Sequence, residues 1–265
     1  MAIVLNPISP VAFSVFGLPI RWYALAYVTA FVVGYILLGY FLRKDKENGV
    51  SLNHKQMEDL FTYLILGVII GGRLGYALFY NPIFFLENPW EIVMLWHGGM
   101  SFHGGLLGVI IATFLYTKSW TRGLKILDVL AVIAPIGLFF GRIANFINME
   151  IMGRPTDSPL GVVFNGYNDV PRHASPLYEA VTEGILLFVI MLLLYKRTNL
   201  RRYPGALGGT MLMLYAIFRI FCEQFRAPDI QIGFLTSWGL TMGQLLSAIM
   251  FVVGGTVLFL SMRKK

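Results

Sequence analysis

ILDVLAVIAPIGLFFGRIANFINMEIMGR, residues 126–154, is a long apolar run that ends by packing a guanidinium, two amides and a carboxylate into one short segment. Arg142 and Asn145 are three apart, hence neighbours on one helical face, and Gly141, Asn145 and Asn148 recur at helical spacing on an overlapping face. An arginine near the end of a bilayer-spanning helix is costly unless it meets a partner or an anionic ligand. Arg142 therefore reads as a candidate site residue. The competing reading is a helix end with a snorkelling arginine.

The rest of the chain supports a membrane setting. Hydrophobic residues make up 57% and charged residues 13% of 265 positions, and the mean hydropathy is +0.68. So few charges cannot cover the surface of a soluble globular domain. The single cysteine, Cys222, excludes an intramolecular disulfide and reads as a small buried hydrophobe, not a nucleophile. The first twenty residues lack the basic start of a cleavable signal peptide and are expected to stay on the mature protein.

Apolar runs of spanning length predict an all-α polytopic membrane protein, a single transmembrane domain over 1–265 with about seven helices. The runs are 23–42, 57–80, a third beginning within 98–108 and descending to Lys118, a fourth from Ile126 into the opening motif, 176–195, 205–225 and 238–262. Basic clusters (Arg43, Lys44 and Lys46; Lys118, Arg122 and Lys125; Lys196, Arg197, Arg201 and Arg202; Arg263, Lys264 and Lys265) orient the chain by the positive-inside rule. The N-terminus is then outside and the C-terminus cytoplasmic. Residues 81–97, with prolines and aromatics and no lysine or arginine, read as an external interfacial arm. Residues 150–176, where the chain turns polar through Asp157, Asn165, Asn168, Asp169, Arg172 and His173, read as an external head too short to bury a core of its own.

This topology assigns fourteen of the 21 basic residues to the cytoplasm, including every lysine. The other seven are all arginines: Arg21, Arg73, Arg142, Arg154, Arg172, Arg219 and Arg226. A guanidinium binds phosphate through two parallel hydrogen bonds and keeps its proton when buried, so a phosphate-bearing ligand in the outer leaflet is the natural partner. The dispersed basic loops give no nucleic-acid module. On the sixth run Tyr215, Arg219 and Glu223 succeed one another at four-residue spacing, a polar stripe in which Glu223 serves either as a structural counter-ion or in catalysis. His103, in SFHGG, is a candidate proton acceptor or a packed histidine. Tyr23 and Tyr27 read as interfacial anchors, and the glycines of GGRLGY, residues 71–76, permit close helix approach.

Four motifs, GRIANFINMEIMG, GGMSFHGGLLG, GGRLGY and YAIFRIFCEQFRAPD, together resemble the bacterial phosphatidylglycerol–prolipoprotein diacylglyceryl transferase family. The first matches the family signature at Gly141, Arg142, Asn145, Phe146, Asn148, Glu150 and Gly153, and the resemblance extends from RWYALAY at Arg21 to MGQLL at Met242. It implies transfer of the diacylglyceryl group of phosphatidylglycerol to the lipobox cysteine thiol of a prolipoprotein signal peptide, with release of glycerol phosphate and with no cofactor or metal. It also implies the bacterial inner membrane, with the active site toward the periplasmic leaflet.

On this reading Arg142 and Arg219 clamp the phosphate, and His103 or Tyr215 assists thiol ionisation. His103 is favoured, because a reference pKa of about 6.5 suits neutral pH better than a phenol's, about 10. Asn145, Asn148 and Glu150 orient the headgroup, while Tyr23, Arg73, Gly153, Glu223 and Arg226 are carried over to the phosphatidylglycerol site as motif positions. The chain departs from the family pattern at His97, in RHASPLYE (172–179) and at Gln224. The alternative is a transporter of a phosphate-bearing organic anion or lipid, against which stand the absence of an inverted repeat and the outer-leaflet clustering of the motifs. A serine protease built on Ser101 and His103 fails because residues two apart on a helix face different directions.

Overall fold

The computed structural model describes residues 3–44, 50–166, 169–228, 233–237 and 239–263. Asp45, Lys46, Asn168, Asp229, Trp238, Lys264 and Lys265, and the side chain of Lys44, which entered the reading above, lie outside the described residues. Among the described residues, five helices are long and apolar enough to cross a membrane. They are α1 (Trp22–Lys44), α2 (His54–Phe79), α5 (Trp120–Ile147), the continuous helix Ser175–Arg197, and α9 (Met242–Arg263). The fourth of these consists of α6 (Ser175–Glu179), a π-helical turn (Ala180–Leu186) and α7 (Leu187–Arg197).

The third and sixth expected spans are shorter. They form α4 (Phe102–Thr117) and α8 (Ala206–Cys222), of 16 and 17 residues, each about 25 Å long at 1.5 Å per residue against a hydrocarbon core of about 30 Å. α4 starts at Phe102, inside the expected 98–108, for a local reason. Gly98 and Gly99 have φ of 78° and 80°, and Ser101 Oγ then caps the helix by accepting from Gly104 N at 3.2 Å. α9 begins four residues later than expected, where Thr241 and Gln244 cap each other reciprocally.

The chain divides into two compact units, residues 39–127 and residues 1–38 with 128–265; the boundaries fall inside α1 and α5. In the first unit α2 and α4 cross at a seam of small residues, as the glycine spacing predicts. A Cβ on Gly67 would lie 2.6 Å from the Gly108 carbonyl oxygen, and one on Gly71 would collide with the Gly104 oxygen. The expected arm contains α3 (Pro82–Glu87) and two 3-10 turns, Pro89–Val93 and Leu95–His97.

In the second unit α8 packs on α9, again through glycines: a Cβ on Gly209 would meet the Gly254 oxygen at 2.6 Å. At one end of the unit, the buried Asp128 of α5 accepts from Gly205 N and Gly208 N, each at 2.7 Å, and so caps α8. The N-terminal stretch, to which the hydropathy pattern gives no structure, forms strands. β1 (Ile3–Leu5) pairs parallel with β4 (Val162–Phe164), and β2 (Val11–Val15) pairs antiparallel with β3 (Leu18–Arg21). The segment 150–176 buries Val162, Phe164 and Ala174 by adding Leu5, Phe146, Met149 and Leu177 from outside to its own Met152. Its core is therefore shared with β1 and the end of α5.

Replacing Gly67 by Leu forces α2 and α4 apart, a misfit worth about 1–3 kcal/mol or more. We expect a clear fall in melting temperature in detergent, whereas Gly137→Ala, with nothing within 4 Å of the added carbon, leaves it unchanged or slightly raised. Equal melting temperatures for the two variants would contradict the seam.

Candidate functional site

Five helix termini of the second unit converge: the start of α1, the end of α5, the start of α6, the end of α8 and the start of α9. Buried charge ties α5, α6 and α8 together. Glu179, wholly buried at the last position of α6, receives three guanidiniums. Arg142 Nε lies 2.8 Å from its Oε2, and Arg219 Nη1 and Arg226 Nη1 lie 3.0 and 3.3 Å from its Oε1. One turn on, Glu183 accepts from Arg142 Nη2 at 3.2 Å and stands 3.7 Å from Arg219 Nη1. Arg219 Nη2 reaches Glu223 Oε2 at 2.8 Å, so the ion pair read from the four-residue spacing exists.

Local structure explains how two carboxylates reach the same arginines. The π-helical turn from Ala180 widens the helix by one residue per turn. Gly184 in that turn lets α5 in, since a Cβ there would lie 2.7 Å from Phe139 Cβ. On the other side Gly243 of α9 leaves room for the Glu223 carboxylate, 2.7 Å from where a Cβ would stand. Tyr215 on α8 is 9% exposed and interacts electrostatically with Glu183, Arg142, Arg219 and Glu179. The arginine side chains are not wholly buried: Arg142 keeps 17% exposure and Arg219 and Arg226 each keep 12%, while Arg142 Nε and Arg219 Nη1, which face the glutamates, are covered.

A polar lid adjoins this cage. Asn145 donates from Nδ2 to the Tyr23 hydroxyl and, at 3.0 Å, to Glu150 Oε2; Asn148 donates to Glu150 Oε1 at 3.4 Å. Glu150 folds back onto both amides because Met149 and Ile151 take φ of 54° and 57°. That conformation costs an L-residue energy, most of all a β-branched one. Asn148 Oδ1 is buried and has no hydrogen-bond partner among the described residues. Tyr23 is thus a hydrogen-bonding member of the lid and more than the interfacial anchor its position suggested.

Gly153 is a backbone crossing point. Its N–H donates to His173 O at 3.0 Å, and a Cβ would lie 2.7 Å from the Phe225 oxygen and collide with the His173 oxygen. Arg154 donates from Nε to Arg226 O at 2.9 Å and from Nη2 to Glu223 O at 3.3 Å, and Arg172 donates to Gly153 O at 3.0 Å. These two arginines hold backbone in place. His173, outside the spans, packs on Phe225 and Tyr178, and burial lowers its pKa.

Arg73 and His103 belong to the other unit. Arg73, 3% exposed, donates to the carbonyls of Glu91, Ile92, Met94, Gly98 and Gly99 and pins the loop between α3 and α4. His103 is exposed in the first turn of α4, beside Phe102. Ser101 is spent as the cap of that helix, and Cys222 is buried with its sulfur 3.1 Å from Thr182 Oγ1.

Sequence reasoning missed Glu179 and Glu183. Two glutamates four apart inside PLYEAVTEGILL, an otherwise apolar span, are the same signal that marked Arg142, since an intramembrane carboxylate needs a partner too.

Comparison with known proteins agrees with the motifs. The family model for prolipoprotein diacylglyceryl transferase matches residues 10–260. A Rhodospirillum rubrum protein named phosphatidylglycerol–prolipoprotein diacylglyceryl transferase is 47% identical over 260 residues, 97% of this chain and 94% of its own length. Proteins of the same name from Azospirillum brasilense (48% over 259 residues, 96% and 94% covered) and Rickettsia felis (45% over 249 residues, 93% and 94% covered) match similarly.

Removing the shared carboxylate by Glu179→Ala leaves three buried guanidiniums short of a counter-charge. Breaking a buried pair costs about 3–5 kcal/mol, so the variant is expected to melt well below wild type. Glu179→Gln, equal in shape, recovers part of that loss and less of the activity. A wild-type melting temperature for Glu179→Ala would refute the cage as the organiser of these helix ends.

Proposed function

The chain belongs to the prolipoprotein diacylglyceryl transferase family, and on that premise we propose that its Arg142–Arg219 cage holds the phosphate of phosphatidylglycerol for transfer. The enzyme moves the diacylglyceryl group of phosphatidylglycerol to the cysteine thiol of a prolipoprotein, a step of lipoprotein maturation. The observation that carries the site assignment is the pair of partly exposed arginine side chains held from behind by Glu179 and Glu183.

The bonds assign the work. The lipobox sulfur, once ionised, attacks the glycerol carbon bearing the phosphate; a carbon–sulfur bond forms and the carbon–oxygen bond breaks. The electron pair stays on the departing phosphate oxygen, whose charge rises from one negative to two. Preorganised cations stabilise that developing charge without reorganising. Glutamates behind the arginines fix their direction, and the donors facing away from Glu179 and Glu183 meet the lipid. Asn145, Asn148 and Glu150 suit the polyol headgroup, which offers hydroxyls to amide and carboxylate oxygens; the unpartnered Asn148 Oδ1 is one such acceptor. Gly153 shapes the backbone there, and Tyr23 orients Asn145. Glu223 and Arg226 act through Arg219 and Glu179.

For the base we keep His103, on chemistry. An exposed imidazole is better suited to proton transfer at neutral pH than a phenol, and Tyr215 is buried among charges. Arg73 is better read as an anchor for the loop after α3 than as a lipid ligand, since five carbonyls occupy its donors.

The enzyme is a multi-pass membrane protein with several apolar helices. Our reading adds α4 and α8 as two short spans, making seven, and places the cage toward the periplasmic leaflet of the bacterial inner membrane. It makes 81–97 and 150–176 periplasmic, with lipid and signal peptide entering sideways from the same leaflet. Supporting it, Lys196, Arg197, Arg201, Arg202 and Arg263 lie at the helix ends opposite the cage.

Purified protein given phosphatidylglycerol and a lipobox peptide should add a diacylglyceryl mass to the cysteine with matching glycerol phosphate. Arg142→Ala should lower the rate by about 10²–10³, the usual cost of losing a transition-state donor. Turnover unchanged in the variant would remove Arg142 from the site. In the same assay with saturating lipid, His103→Gln should slow transfer by about 10²-fold or more, the usual contribution of a general base; an unaltered rate and pH profile would shift the role to another group.

A further inference from the structure

The stretch 3–20 carries no charged side chain, and its β2–β3 hairpin is not packed in a larger sheet. Its turn is Phe16-Gly17, with φ of 50° and 81°, a two-residue turn with both positions left-handed. Asn or Gly fills the first position at little cost, while phenylalanine is sterically disfavoured there. Yet Phe16 occupies it with its ring fully exposed, and Leu18 and Phe13 beside it are 69% and 50% exposed. An unfavourable turn residue with an uncovered ring points outside the fold.

What covers it follows from chain continuity. β3 ends at Arg21 and α1, a membrane-length helix, starts at Trp22 with no linker. Tyr23, two residues past the strand, bonds Asn145 in the lid. The hairpin therefore leaves the membrane at the end of α1 where the candidate site stands. A two-stranded ribbon keeps unpaired N–H and C=O groups along its outer edges, which the hydrocarbon core does not tolerate. The headgroup boundary supplies water to those edges and apolar depth to aromatic rings.

We propose that the hairpin 11–21 is an interfacial anchor whose Phe16, Phe13 and Leu18 insert into the lipid leaflet from which the enzyme draws its substrate. It rests on the reading above that α1 spans the bilayer and that the site faces the same leaflet. The anchor holds the site at headgroup depth and raises the local frequency of productive lipid encounters without touching the reacting atoms.

The lone buried cysteine makes the test direct. In a Cys222→Ser background, Phe16→Cys is labelled with an environment-sensitive fluorophore and reconstituted into vesicles of phosphatidylglycerol and phosphatidylethanolamine. We expect blue-shifted emission, strong quenching by lipids carrying nitroxides near the ester carbonyls, and little quenching by aqueous iodide. Phe16→Asn, which suits the turn and keeps the melting temperature in detergent, should raise the KM for phosphatidylglycerol in vesicles several-fold with kcat unchanged. Water-like emission quenched by iodide in a sample that still modifies peptide overturns the anchor and leaves the transferase reading intact. An anchored label in a sample without turnover does the reverse. Protection that arises only when lipobox peptide is added would make the hairpin a peptide contact and also overturn the proposal.

Discussion

One carboxylate shared by three guanidiniums governs this protein. Glu179 is wholly buried at the point where α6 passes into a π-helical turn, and Arg142, Arg219 and Arg226 all lie within 3.3 Å of it. Charges so placed are unfavourable one by one and tolerable only together. The end of α5, the start of α6 and the end of α8 must therefore meet with correct register, or the chain buries an uncompensated ion. Glycines at 184 and 243 are what such a meeting demands, since a methyl group at either would touch Phe139 or the Glu223 carboxylate.

The same constraint serves chemistry. In the proposed mechanism a phosphate that gains charge as it leaves is best met by cations that do not move, and the glutamates behind Arg142 and Arg219 would remove their freedom beforehand. The lid adds a second kind of preorganisation, with Glu150 turned back onto Asn145 and Asn148 by two left-handed residues, Met149 and Ile151. Strain at such positions persists only where the surroundings over-determine it, and here the signature segment is tied to β4, Arg172 and Phe225 through Gly153 and its neighbours.

Much of this was legible in the residues. Apolar runs located the five long helices to within a few residues, erring most at α9, where the cap at Thr241 moved the start, because hydropathy does not see hydrogen bonds. The Arg219–Glu223 pair and the glycine seam of α2 followed from helical spacing. The arginines were read too uniformly: Arg73, Arg154 and Arg172 bind carbonyls and hold loops, and only the contact partner separates them from Arg142 and Arg219. Glu179 and Glu183 escaped notice inside an apolar span, although their spacing carried the signal. The N-terminal strands were not legible, since β1 finds its partner in β4, some 160 residues away in sequence, and the fold-back of Glu150 depends on dihedrals that side-chain identity does not announce.

The central claim is that the cage receives the lipid phosphate without coming apart. An experimental structure of the enzyme with phosphatidylglycerol tests it most directly. The account predicts phosphate oxygens within hydrogen-bonding distance of Arg142 and Arg219 while both arginines keep their contacts to Glu179. A phosphate bound elsewhere, with both guanidiniums still turned wholly to the glutamates, would contradict it.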